Sequence, residues 1–168
     1  IMKRGSIEIS FGMIFSIIII VALIGVAVYA TTIFLKFGSS AQVGLFYEEF
    51  QSKIDEIWSS ASTNRVVSFP LPSTIKFVCF GFISADTNAG RYDSQFKALR
   101  RDSSGFQQEN TNTFLYPPEK AKELAYEKIE KIDISGLGVF DCFEVKDGVV
   151  KIRLSKGEFD SLVKVSHE

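Results

Sequence analysis

Apolar and polar positions along this chain follow three different periods, and each predicts a different kind of element. Residues 11–35 are twenty-five consecutive positions without a charge. At about 1.5 Å of rise per residue they form roughly 37 Å of helix, longer than the roughly 30 Å hydrocarbon core of a bilayer. This predicts a transmembrane helix. Gly38-Ser39-Ser40 then predicts a short break. From 43 to 58 a helical period returns. Leu45, Phe46, Phe50, Ile54, Ile57 and Trp58 fall on one side, and Glu48, Glu49, Lys53, Asp55 and Glu56 on the other. That segment is expected either to pack its apolar face on a sheet or to prolong the first helix as a stalk.

Beyond residue 58 the period falls to two. Residues 65–69 (RVVSF) predict a strand stopped by Pro70 and Pro72. The strand over 75–84 is apolar on both faces, with Phe77, Cys79 and Ile83 on one side and Val78, Phe80 and Phe82 on the other, and so belongs at the centre of a sheet. Residues 85–111 read as a long polar loop, with one helical turn expected over 95–101 and Phe96, Leu99 and Phe106 as pins. A short strand over 112–116 precedes Pro117-Pro118. Pro118 and Glu119 suit a helix start, and the helix is expected to run to about Ile132 with Ala121, Leu124, Ala125, Ile129 and Ile132 inward. Residues 138–146 and 149–154 flank Asp147-Gly148, which predicts a hairpin with a type I′ turn. A last strand is expected over 158–166, with Phe159, Leu162 and Val163 inward.

The fold class expected is α+β: a long N-terminal transmembrane or stalk helix, then four to six mostly antiparallel strands with helices packed on one side. The organisation expected is a leader over 1–10, the transmembrane helix over 11–35, a stalk or amphipathic helix over 36–58 and an extracytoplasmic domain over 59–168.

Charge narrows the partners. Nineteen basic residues against twenty acidic ones give a net charge of −1, which leaves no basic excess for nucleic acid. Lys3 and Arg4 precede the apolar run and only Lys36 closely follows it. The positive-inside rule therefore predicts a cytoplasmic N-terminus and an extracytoplasmic domain. Val28-Tyr29-Ala30 offers a signal-peptidase site, yet the apolar run continues beyond it, which favours an anchor. Gly12 with Ser16, and Ala22 with Gly25, are small residues that let a neighbouring helix approach.

The residues leading into the span are Lys3-Arg4-Gly5-Ser6-Ile7-Glu8-Ile9-Ser10-Phe11. A basic pair, a glycine and a glutamate ahead of an apolar helix resemble the class III signal of type IV pilins and related archaeal surface proteins. The resemblance covers about the first forty residues. It implies cleavage on the cytoplasmic side at Lys3, Arg4 and Gly5, retention of the apolar helix in a filament core, and a role for Glu8 in pairing with a neighbouring subunit's terminal amine. A cut after Gly5 makes Glu8 the third residue of the mature chain. A cut after Lys3 makes it the fifth, where the family has it. The other reading of Glu8 is a flanking charge that snorkels to water.

Two cysteines, Cys79 and Cys142, are separated by sixty-two residues. Outside the cytoplasm such a pair predicts a disulfide, the alternative being two buried free thiols. No nucleophile elbow, phosphate loop or Cys/His ligand set occurs, and the single His167 stands where terminal disorder is expected. No catalytic residue, metal site or cofactor is therefore expected. The function expected is a pilin-like structural or filament subunit at the cell surface. Its partners would be the lipid bilayer and its own copies through the N-terminal helix. The alternative is a non-polymerising single-pass protein whose outer domain binds a cell-envelope partner through 85–111.

Overall fold

A computed structural model describes residues 11–83, 89–103 and 111–168. Lys3, Arg4, Gly5 and Glu8 lie outside the described residues, as do Phe106 and much of the long polar loop. Residues up to Gly38 and residues from Ser39 onward form two separate compact units.

Helix α1 (Phe11–Trp58) runs without interruption through 38–40, so the expected break there is not present. In the first unit its apolar residues from Gly12 to Thr32 are all exposed. The most apolar eighteen-residue window, of mean hydropathy 2.8, is 0% buried. The hydroxyls of Ser16, Thr31 and Thr32 donate to the carbonyls of Gly12, Ala27 and Tyr29, each at 2.8 Å. They bring no unpaired polar group to an apolar surround.

In the second unit, α1 supplies Val43, Phe46, Tyr47, Phe50, Ile54 and Ile57 to the core at helical spacing. Leu45 and Trp58, expected on that face, are instead 62% and 42% exposed. Each lies to the flank of the stripe set by Phe46, Phe50, Ile54 and Ile57. At the helix end two carbonyls accept serine hydroxyls as well as backbone N–H groups: Ser59 Oγ donates to Asp55 O at 2.8 Å and Ser60 Oγ to Ile57 O at 2.6 Å.

Eight strands among the described residues form two four-stranded sheets. The first contains β1 (Thr63–Pro70), β5 (Ile132–Asp133), β7 (Val149–Lys156) and β8 (Val163–Ser166), in the order β1-β7-β8-β5. The second contains β2 (Phe77–Gly81), β3 (Thr113–Tyr116), β4 (Tyr126–Glu127) and β6 (Phe140–Glu144), in the order β4-β3-β2-β6. All pairings are antiparallel except β5 with β8.

Phe50 joins helix and sheets. Its ring lies 5.2 Å from Phe69 of the first sheet and 5.7 Å from Phe80 of the second. The two-sided apolar strand is central, as its pattern predicts: β2 lies between β3 and β6. Helices are not confined to one side, however. Phe80 faces α1, whereas Phe140 on the opposite face meets Phe96 of α2 (Asp93–Asp102) at 5.2 Å. A strand apolar on both faces needs a cover on both.

Three further expectations change. The helix starting at Pro118 (α3, Pro118–Ala121) stops after four residues, because Tyr126 and Glu127 pair with Phe114 and Thr113 instead. Tertiary pairing overrides the helical period here. The turn at Asp147-Gly148 has the positive φ values of type I′, 52° and 75°, but it does not close a hairpin. Beyond one bridge, Lys146 with Val149, β6 goes to β2 in one sheet and β7 to β1 in the other. Finally, β8 begins only at Val163. Gly157 to Asp160 form a turn closed by Gly157 N donating to Asp160 Oδ2 at 2.8 Å and Asp160 N to Gly157 O at 3.1 Å. Phe159 on that turn is 97% exposed and Leu162 40%, whereas Val163 is buried.

Candidate functional site

The features that bear on function are the exposed apolar helix of the first unit and the brace of the second. Cys79 on β2 and Cys142 on β6 are directly opposed in the ladder and form a disulfide, with Cα atoms 4.0 Å apart and both residues fully buried. The bridge joins β2 to the edge strand of the second sheet, on the same face as Phe140, which meets Phe96 of α2.

The second unit is tied to α1 by side chains that the sequence does not flag. Gln51 Oε1 accepts from Glu130 N at 2.9 Å, and Lys131 Nζ lies 2.9 Å from Asp55 Oδ1 and 4.3 Å from the Trp58 ring centroid. Lys131 holds Asp55 below its ordinary carboxylate range, chiefly through that hydrogen bond. Glu56 is held down at about 2 by hydrogen bonds from Lys53 and Arg65. Tyr47 donates to Leu124 O at 2.9 Å, and burial, with Glu127 nearby, pushes its phenol well up. Asn112 pairs with Ile129 as a strand would, its Oδ1 accepting from Ile129 N and its Nδ2 donating to Ile129 O, both at 2.8 Å.

His167 packs against β6. Its ring stacks on Phe143 with centroids 4.2 Å apart, and its Nε2 lies 2.7 Å from Asp141 Oδ2. The signal was in the alternation: Val163, Val165 and His167 share one face of β8 and its extension. Among the described residues, no three metal-ligating side chains converge. The clefts are open, and the one beside β6, of about 510 Å³, is lined by Phe143, Glu144, Lys146, Lys151 and His167.

Compared with protein-family models, curated proteins and solved structures, the chain matches none.

Proposed function

We propose that this protein is a pilin-like surface subunit, held by its N-terminal helix in the membrane or in a filament core and displaying the α+β unit outside the cell. The observation that carries the reading is the 0% burial of the most apolar window of α1. So long a run of bare Ile, Val, Leu and Phe needs lipid or other copies' helices as its surround. Hydroxyls bonded to their own helix suit either surround. The buried disulfide fits an oxidising compartment for the second unit, in line with the charge asymmetry of Lys3 and Arg4 against Lys36. The reading of Lys3, Arg4, Gly5 and Glu8 rests on the class III resemblance, with Glu8 pairing subunits.

Intact mass of protein isolated from native membranes or surface fractions tests this. A mature chain lacking the residues through Gly5 or Lys3 supports processing by a pilin peptidase. Retention of Lys3 to Gly5 makes the protein a permanent single-pass anchor. Glu8→Gln is expected to abolish filaments while leaving membrane insertion intact, and normal filaments in that variant would remove the pairing role.

A second reading, an outer domain that binds a cell-envelope partner, is favoured by one observation. Phe159 stands 97% exposed on a turn stapled by Asp160, beside Trp58, whose Nε1 donates to Ser161 O at 3.0 Å. Loss of that binding in Phe159→Ser, with stability unchanged, would support it.

A further inference from the structure

Strand β6 is an edge: β2 pairs with it on one side, and no described strand pairs on the other. An unpaired edge is a template for another chain. Register shows which of its amides are free. In an antiparallel ladder, opposed residues alternate between pairs that exchange both backbone bonds and closer pairs that exchange neither. Cys79 and Cys142 are opposed with Cα atoms 4.0 Å apart, the spacing of a pair that exchanges neither. The N–H of Cys142 therefore points away from β2, toward the free edge.

That N–H is already occupied. It donates to Asp141 Oδ1, the side chain of the preceding residue, at 2.9 Å. The second carboxylate oxygen, Oδ2, lies 2.7 Å from His167 Nε2. His167 is itself fixed three ways: by the stack on Phe143, by its carbonyl accepting from Arg153 Nε at 3.3 Å, and by the neighbouring Glu168 carboxylate 3.8 Å from Lys151. Both oxygens of Asp141 are thus committed, one to the edge and one to the clamp. Beside them lies an open cleft of about 390 Å³ that Phe140, Asp141 and His167 share with Arg91 and Tyr92, room at this edge that no described strand fills.

We infer that Asp141, clamped by His167, is an edge guard that occupies the outward amide of β6 and keeps a second copy of this chain from adding its own β6 there. Self-pairing is the association to be blocked because the strand is compatible with itself. Antiparallel pairing centred on Cys142 sets Asp141 against Phe143 and Phe140 against Glu144, so no like charges meet.

The test uses the full chain in detergent micelles, with the wild type setting the background association of the N-terminal helix. Two quantities are read: hydrogen exchange of the Cys142 amide in dilute protein, and sedimentation as concentration rises. Asp141→Ala is expected to speed that exchange by about tenfold, the loss of one hydrogen bond, and to shift the sedimenting species to larger size. Asp141→Asn keeps an acceptor for the amide and is expected to behave as the wild type. His167→Ala is expected to fall between. Wild-type exchange and sedimentation in Asp141→Ala would overturn the inference, and so would an Asp141→Asn variant indistinguishable from Asp141→Ala.

Discussion

Opening the Cys79–Cys142 bridge removes a covalent loop of sequence separation 63. In the chain-entropy model a loop of that length restrains the unfolded chain by about 4 kcal/mol. The folded state loses little else. Val78 with Phe143 and Phe80 with Asp141 still pair on either side, and the freed thiols remain small buried hydrophobes. For a unit of this size, that loss lowers the melting midpoint by roughly 12–20 °C. The assay is thermal unfolding of the full chain by near-ultraviolet circular dichroism, comparing oxidised protein with protein reduced while unfolded and refolded under reductant. The Cys79→Ala/Cys142→Ala double variant should fall at least as far, since it also loses two buried sulfurs. Because both cysteines are fully buried, reductant added to the folded protein should act only as fast as the unit opens. A midpoint shift worth less than about 1 kcal/mol would show that the unfolded chain is not restrained by the loop, and the reasoning would fail.

Phe50→Ala should cost about 3–5 kcal/mol by denaturant unfolding, since the ring meets Phe46, Phe69 and Phe80 at once; a loss under about 1 kcal/mol would deny α1 its place in the core. Glu56 titrates at about 2 when folded, below its ordinary 4.5, so its contribution is present above pH 4.5 and is lost as pH falls toward 2. Glu56→Gln should therefore flatten the stability profile between those pH values and leave its upper part unchanged in slope, and an unaltered acid limb would refute the assignment. Asn112→Ala should cost about 1–3 kcal/mol, because Ile129 loses both backbone partners in a half-buried site, and chemical denaturation reads it directly.

Long runs of one period were legible and tertiary choices were not. The uncharged span, the two-faced strand at 77–81 and the disulfide all follow from local pattern or compartment chemistry. The helix predicted through Ile132 fails because Tyr126 gains more from a strand pairing and from donating to Leu99 O at 3.0 Å than from a helical turn. Asp147-Gly148 carries the right turn chemistry, yet turn chemistry says nothing about whether the flanking strands stay in one sheet. Phe159 and Leu162 look like core by type. Gly157 and Asp160 instead build a turn that lifts them outward. The Asp141–His167 pair joins residues twenty-six positions apart through a register no single segment encodes.

The order of strands in the first sheet sets a timetable for folding. β8 (Val163–Ser166) is interior to that sheet, lying between β7 and β5, and β5 pairs there with no other described strand. A second unit delivered across a membrane behind an N-terminal anchor would present the end of α1 and β1 long before the strand that locks β5 in place. The first sheet can close only once residue 166 has emerged, and until then the buried face of α1 and the inner face of β7 need shelter. A pause in delivery between residue 144 and β8 should leave a protease-sensitive intermediate even while the second sheet, complete by residue 144, is already formed and bridged.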